Sequence, residues 1–161
     1  MKDDMHFARK GCDRQEPFRY LACGLDNVFL TSGYTRKQRA GQWVTAVEDA
    51  DGLHGAIAKH LVLRRKQLHG KEVRFLRKRL ALTQVELGKL LGVTDQTIAR
   101  YEKNESAFDG AADMLLRILV IGHACGALKP LEVVEQIRAS DDAALDELVL
   151  EHEGDEWRMA A

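Results

Sequence analysis

Gln96 and Arg100 are side chains whose types and spacing suit recognition chemistry in this sequence of 161 residues. They stand four residues apart, so they lie on one face wherever this segment is helical. A glutamine amide can bond N6 and N7 of an adenine together, and an arginine guanidinium can bond O6 and N7 of a guanine. Thr97 suits a thymine methyl group or a phosphate, and Asp95 suits either N4 of a cytosine or the positive end of a helix dipole. These four residues are the candidates for reading base edges in DNA.

The residues around them predict two short helices joined by a tight turn, within Leu82–Lys103. Gly92 is suited to end the first helix, because glycine adopts a positive φ without steric cost. Thr94 is suited to cap the second helix, and Gly88 stands where the two helices must approach closely. The apolar positions are Val85, Leu87, Leu90 and Leu91 in the first helix, with Ile98 and Tyr101 directed inward in the second. Two helices joined through such a turn describe a helix-turn-helix.

This arrangement resembles the XRE/Cro-type helix-turn-helix of phage repressors. The resemblance is carried by Thr83-Gln84, Leu87-Gly88, Gly92-Val93-Thr94, Thr97-Ile98 and Arg100-Tyr101-Glu102. The stretch Arg100–Leu119 is similar to the one that follows the recognition helix in MqsA (YgiT)-type antitoxins, which bind their operators as dimers. The resemblance implies that Gln96 and Arg100 read bases and that Gln84 clamps a phosphate. It also implies that Arg77 pairs with Glu102, and we interpret that pair as a structural brace, since an ionised group near a core requires a partner.

The formal net charge of −1 conceals a segregation of charge along the chain. Residues 59–103 hold 12 Lys and Arg against 4 Asp and Glu, whereas residues 104–161 hold 4 against 13. The positive charge therefore coincides with the predicted helix-turn-helix, as a surface that faces phosphates requires. Phosphate contacts set affinity and register but not sequence. The candidates for such contacts are Gln84, Thr94, Lys89, Lys103, Arg79 and Lys78.

The patterns along the whole chain predict a mainly α fold. We expect a five-helix domain of the XRE helix-turn-helix type, a small antiparallel β module before it and a possible C-terminal hairpin. The expected segments are a disordered N-terminus at 1–15, a β meander plus a helix at 16–66, the DNA-binding domain at 67–139 and an acidic segment at 140–161. Strands of the meander are expected at 18–22, 28–31 and 43–47. The acidic segment is expected either to pack on the N-terminal sheet or to cover the basic face.

The predicted helix at 111–124 carries more apolar surface than one small domain covers. Part of it is therefore expected to contact a second copy of the chain. The candidate interface residues are Met114, Leu115, Ile118 and Leu119. A homodimer of this kind requires two DNA half-sites about one helical turn apart. A further helix is expected to start near Pro130.

The N-terminal module raises the question of a metal ion. MqsA-type antitoxins carry a zinc module with paired CxxC motifs, and Tyr20–Gly24 (YLACG) resembles the remnant of one, with Tyr20 where the first cysteine would stand. Zinc requires about four nitrogen or sulfur ligands, and Cys12, Cys23 and the histidines show no spacing that provides them. No metal ion and no other cofactor is therefore expected.

Cellular location and function class follow from signals that the sequence lacks. Three cysteines without paired spacing fit a reducing cytoplasm, and neither a signal peptide nor a membrane span is expected. No HExxH motif, Ser/His/Asp pattern or phosphate-cradling glycine loop is found, so an enzyme is not expected. The sequence predicts a transcriptional regulator, in the first place a repressor that reads the major groove with residues 95–103. The alternative left open is an antitoxin that also binds a toxin protein with its N-terminal segment and autoregulates its operon.

Overall fold

A computed structural model describes residues 17–108, 110–124 and 147–160. The helices are α1 (Ala50–Arg64), α2 (Gly70–Arg79), α3 (Gln84–Leu91), α4 (Asp95–Glu102) and α5 (Gly110–Ala124). The strands are β1 (Phe18–Arg19), β2 (Val28–Leu30), β3 (Tyr34–Arg39), β4 (Gln42–Val47), β5 (Leu148–Glu153) and β6 (Glu156–Met159). The prediction of a mainly α fold with a small β module is confirmed, and the described residues contain five helices. The expected disorder at 1–15 and the helix expected from Pro130 lie outside the described residues.

Helix α1 lies at the centre of the molecule, between the sheet and the remaining helices. It packs against β6 on one side and against α2 and α5 on the other. Its residues Leu53, Ile57 and Leu61 are fully buried. The N-terminus of α1 is capped by Asp49, whose carboxylate accepts a hydrogen bond from the backbone N–H of Gly52 at 3.0 Å. This central position makes α1 the element that joins the β module to the helix-turn-helix.

The predicted turn between α3 and α4 is found, with its predicted caps and close approach. Gly92 ends α3 at a φ of +72°, and Thr94 caps α4 by accepting from the N–H of Thr97. A Cβ added at Gly88 would lie 2.7 Å from the carbonyl oxygen of Val93, so a side chain there cannot be accommodated without a shift of the backbone. Of the apolar positions in α3, Leu87 is buried in the core, whereas Val85 and Leu90 are exposed at 49% and 48%.

The N-terminal and C-terminal segments of the described chain share one sheet with the strand order β1-β2-β5-β6. The hairpin expected near the C-terminus is formed by β5 and β6, and β5 lies beside β2 in parallel, with Val28 opposite Leu148 and Leu30 opposite Leu150. The sheet is therefore mixed rather than wholly antiparallel. The parallel pairing places these four apolar side chains in the core, and neither segment has strands enough to bury them alone.

The predicted third strand of the meander belongs instead to a separate hairpin. Strand β4 pairs with β3, which the sequence analysis did not predict, and the two form their own antiparallel sheet. Ala40 and Gly41 form the two-residue turn of the hairpin. Both have a positive φ, as a type I′ turn requires. Strand β3 escaped prediction because its six residues, YTRKQR, lack the alternation of apolar and polar residues that marks a half-buried strand.

A fully buried arginine joins α5 to the end of α1. The guanidinium of Arg117 is bonded to Asp113 at 2.8 Å, and it also donates to the backbone carbonyls of Val62 at 3.0 Å, Arg65 at 2.6 Å and Lys66 at 3.2 Å. The last carbonyls of a helix have no partner within the helix. Arg117 therefore serves as a C-terminal cap for α1 that is supplied from another helix.

Candidate nucleic-acid interface

The outer side of α4 presents the residues predicted to read bases. Asp95, Gln96 and Arg100 are exposed, and within the described structure none of them bonds to another side chain. Thr97 is half-buried, and its hydroxyl lies 2.9 Å from that of Thr94. Asp95, Gln96 and Arg100 are therefore accessible to a binding partner, whereas the hydroxyl of Thr97 already contacts Thr94, the cap of α4.

The inner end of α4 is held by a buried carboxylate. Glu102 accepts hydrogen bonds from Nε of Arg77 at 2.5 Å, from Nε2 of Gln84 at 2.9 Å and from Nε of Arg74 at 3.2 Å. Arg77 also donates to the carbonyl of Leu82 at 2.8 Å, directly before α3. The carboxylate thus joins α2, α3 and α4, and it fixes the angle at which α4 leaves the domain.

Burial and bonding act in opposite directions on the pKa of Glu102. Desolvation by burial raises the pKa, but hydrogen bonds from Arg77 and Gln84 and the positive charge of Arg77 lower it by more, so that the pKa lies below its ordinary value. Glu102 is therefore ionised at neutral pH. Arg74 is a member of this cluster that the sequence analysis missed, although its position three residues before Arg77 on α2 was a usable signal.

Gln84, a predicted phosphate contact at the first turn of α3, is partly engaged within the protein. One N–H of its amide donates to Glu102, which leaves a second N–H on the same nitrogen. The side chain is half-buried. Any contact with a phosphate would therefore have to coexist with the bond to Glu102.

The remaining predicted phosphate contacts fall into two groups. Lys78, Lys89 and Lys103 are exposed, and in the described part of the chain they form no ion pair. Arg79 is placed elsewhere: its guanidinium bonds to the carboxylate of Asp51 at the start of α1. The hydrogen bond from Arg79, together with its positive charge, holds the pKa of Asp51 below its ordinary value. Arg79 thus joins α2 to α1 through an ion pair, and its contact with a phosphate stays a prediction.

Helix α5 divides its apolar side chains between the core and the surface. Leu116, Val120 and Ile121 are buried in the core. The predicted interface residues Met114, Ile118 and Leu119 are half-buried, and Leu115 is 37% exposed. The four predicted residues thus keep apolar surface outside the core.

The segment that resembles a zinc module contains Cys23, a free cysteine, among its described residues. Tyr20 is buried, and its hydroxyl lies 3.0 Å from Nε2 of His54. Burial raises the pKa of the Cys23 thiol, whose Sγ donates to the carbonyl of Tyr20 at 3.6 Å. Among the described residues, no group of three or more His, Cys, Asp and Glu side chains is arranged to hold a metal ion. Cys12 lies outside those residues.

Comparison with known proteins bears on the helical part of the chain. A family model described as helix-turn-helix matches residues 73–111, from α2 to the start of α5. Searches of curated proteins and of solved structures found no match. Across the described residues, no helix combines the length and the apolar character that a membrane span requires. The family match and the α3–turn–α4 arrangement of the structure therefore agree that this part of the chain holds a helix-turn-helix.

Proposed function

We propose that this protein is a sequence-specific DNA-binding transcriptional regulator that represses by occupying its operator with α4 in the major groove. The proposal is carried by the exposure of Gln96 and Arg100 on a helix whose other side is held by Ile98 and Glu102, both buried. An α-helix fits the major groove, where each base pair presents a distinct pattern of donors and acceptors. Side chains that already face solvent on a braced helix reach those patterns without refolding.

Each of the four candidate residues on α4 has a proposed role. Gln96 bonds N6 and N7 of an adenine, and Arg100 bonds O6 and N7 of a guanine. The hydroxyl of Thr97 is occupied by Thr94, so its methyl group is the part that contacts a thymine. Asp95 stabilises the first turn of α4 through the helix dipole and is the least important of the four for readout.

The phosphate contacts proposed are the exposed lysines and the N-terminal turns of the two helices. Lys78, Lys89 and Lys103 supply charge, while Thr94 and the second N–H of Gln84 supply hydrogen bonds at helix N-termini. Gln84 donates to Glu102 on α4, the helix that also carries the base-reading residues. This bond supports a fixed distance between the proposed phosphate contact of Gln84 and those residues.

We also propose that the protein binds as a homodimer. Met114, Leu115, Ile118 and Leu119 would meet the same residues of a second copy, in the isologous manner of a twofold dimer. Support comes from the apolar surface that α5 leaves outside the core. The resemblance to phage repressors supports repression as the regulatory outcome.

An antitoxin that also binds a toxin protein is the second candidate function. It is supported by the similarity of Arg100–Leu119 to that class and by Leu21, which is 55% exposed in the segment that resembles the remnant of a zinc module. Affinity capture with the purified protein, combined with inspection of the neighbouring reading frames, tests this candidate. If no small protein partner is recovered and none is encoded beside the gene, this second function fails.

Affinity selection of random DNA duplexes with the purified protein, at two salt concentrations, tests the main proposal. We expect one enriched sequence with two half-sites whose centres lie about 10 base pairs apart. The Gln96→Ala/Arg100→Ala protein should enrich no sequence, although it should still bind DNA weakly. Selection of the same sequence by this variant, or no enrichment by the unmodified protein, would overturn the proposal. Metal content measured on the same sample tests the expectation that no zinc is bound.

A further inference from the structure

The β3–β4 hairpin is the most exposed element of the described structure. All residues from Thr35 to Val44 are exposed, including Trp43 at 63%. An isolated two-stranded hairpin is marginally stable in water, so a function of its own would explain why this hairpin projects from the protein. Its charges suggest one: Tyr34–Val47 contains Arg36, Lys37 and Arg39 and no acidic residue.

The two faces of the hairpin differ in what they present. Paired residues of an antiparallel ladder share a face, so Lys37 and Arg39 lie on one face together with Val44 and Gln42. On the other face, the guanidinium of Arg36 lies 5.0 Å from the centre of the Trp43 ring. A guanidinium stacked on an aromatic ring still exposes its N–H groups at the edge, where it can bind a phosphate oxygen.

The base of the hairpin is mounted firmly on the rest of the protein. Gly33 precedes β3, and a Cβ added there would lie 2.6 Å from the Trp157 ring. Nε1 of the same tryptophan donates to the carbonyls of Glu48 and Asp49, each at 3.1 Å, directly after β4. Trp157 thus contacts the chain at both ends of the hairpin, before β3 and after β4. The direction of the arm is therefore set by the fold rather than by a loose linker.

This mount is connected to the helix-turn-helix through one ion pair. Asp51, four residues after β4 ends, is ion-paired with Arg79 at the end of α2, and Thr83, the cap of α3, follows Arg79 by four residues. Four residues span at most about 14 Å. A short path through one ion pair therefore connects the base of the hairpin to the start of α3, and α3 is the helix of the motif that crosses the DNA backbone in helix-turn-helix proteins. Six residues per strand give it a length of about 20 Å, comparable to the width of a duplex.

From this placement we propose that the β3–β4 hairpin is a second DNA-binding element, which contacts the sugar–phosphate backbone of the same duplex beside the half-site bound by α4. All three cations stand on β3, whose outer edge pairs with no described strand. Across that edge Lys37 and Arg39 from one face and Arg36 from the other contact the backbone, and Trp43, stacked on Arg36, becomes covered when DNA binds. The inference rests on the proposed function, since it assumes that α4 docks on DNA. Charge of one sign favours this partner, and lysine and arginine along an open strand disfavour the addition of a strand from another protein.

Salt-dependent binding of a 40-base-pair duplex of mixed sequence tests the proposal, because phosphate contacts do not depend on sequence. Loss of two contacts in Lys37→Gln/Arg39→Gln should lower the slope of log K against log salt by about 1.8 and weaken binding roughly tenfold or more at moderate salt. The matched control is Lys59→Gln/Arg64→Gln, which removes the same charge from exposed positions of α1. The control should keep the slope and affinity of the unmodified protein.

Tryptophan fluorescence gives a direct second readout. Trp157 is buried and Trp43 is exposed, so quenching by acrylamide reports mainly on Trp43. Adding the duplex should protect this fluorescence in the unmodified protein, and Trp43→Phe should abolish the protectable signal while retaining DNA binding. Unchanged slope in the hairpin variant, or full quenching of Trp43 in the complex, would overturn the inference and leave α4 as the reader. Failure of the unmodified protein to bind any duplex would instead defeat the proposed function.

Discussion

Glu102 accepts hydrogen bonds from three side chains, and two of the donors carry a positive charge. A buried carboxylate without such partners would be strongly destabilising. The partners come from α2 and α3, so the ionised form of one residue stabilises the contact among three helices. At the scale of single residues, therefore, the geometry of α4 depends on the protonation state of the Glu102 carboxyl group.

Replacing Glu102 by glutamine should lower stability in a manner that depends on pH. Removing one charge of a buried pair costs about 3 kcal/mol, and we expect a loss of that size in the free energy of unfolding at pH 7. The folded pKa of Glu102 lies below its ordinary value of 4.5. Its stabilising contribution is therefore complete above that value and is lost as the pH falls through and below it. Urea unfolding followed by circular dichroism at pH 7 and at lower pH measures both effects.

Comparing the unmodified protein with Glu102→Gln separates the contribution of Glu102 to stability from that of the other acidic groups. The pKa values of Asp26, Asp51 and Glu86 are also lowered, by Lys71, by Arg79 and by Thr83 respectively, and all three remain in both proteins. The difference in stability between unmodified and Glu102→Gln protein should narrow as the pH is lowered. A difference that stays constant with pH would mean that the charge of the carboxylate is not what stabilises the fold.

Arg100→Ala should affect DNA binding without affecting the fold, since this side chain is exposed. We expect a loss of about 1–3 kcal/mol on the selected operator and a relaxed preference at one base position. Lys103→Ala is the matched comparison, because it should weaken all sequences alike and reduce the salt slope by about 0.9. Gel shifts on the operator and on single-base variants measure both. If Arg100→Ala binds the operator normally, this arginine does not read a base.

At the scale of the elements, the turn between α3 and α4 depends on one missing side chain. Gly88 lies on α3 against the carbonyl of Val93 in the turn, so α3 and α4 come as close as their backbones allow. This contact sets their crossing, just as Glu102 sets it from the other end of α4.

Gly88→Ala should destabilise the helix-turn-helix. The added Cβ would lie 2.7 Å from a backbone oxygen, and relief of such crowding costs typically about 1–3 kcal/mol. Gly122→Ala is the matched control, because its added Cβ meets nothing within 4 Å in the helix α5 and alanine favours a helix by up to about 1 kcal/mol. Thermal unfolding should show a lower midpoint for the first variant only. Equal midpoints would show that α3 and α4 can separate without cost.

At the scale of the whole molecule, charge and apolar surface are distributed unevenly. Ion pairs with acidic partners engage several cations of the basic segment, among them Arg65, Lys71, Arg77 and Arg79. Lys78, Lys89, Arg100 and Lys103 remain exposed on the helix-turn-helix. Apolar surface remains on α5, where Leu115 lies. This division fits a protein with separate surfaces for DNA and for a second copy.

Leu115→Glu should convert the proposed dimer to a monomer, because like charges would meet across the twofold axis. Leu90→Glu is the control, since Leu90 is more exposed, at 48% against 37%, but lies on α3. Sedimentation of both variants and of the unmodified protein gives the oligomeric state. We expect a monomer for Leu115→Glu only, with weaker binding to a duplex that carries two half-sites. A monomeric unmodified protein on its operator would refute the dimer.

Local signals explain what could be predicted from the sequence. Thr83, Gly88, Gly92 and Thr94 act on atoms only a few residues away, so their types alone indicate the caps, the turn and the close approach. The same holds for the turn at Gly154, which joins β5 to β6. Gln96 and Arg100 could be identified as outward residues because Ile98 and Tyr101 mark the inward side of α4.

The sequence by itself therefore determined the helix-turn-helix, its turn and the basic character of that segment. Only the tertiary structure decided the parallel pairing of β2 with β5, the bond between Arg79 and Asp51, the burial of Arg117 and the mounting of the β3–β4 hairpin. Each of these joins residues far apart in the chain, and its partner is selected by competition among many surfaces of similar composition. From the sequence alone, a cation on a helix can face solvent, pair with a carboxylate or cap a helix C-terminus. The packing around α1 decides which of these Arg79 and Arg117 do.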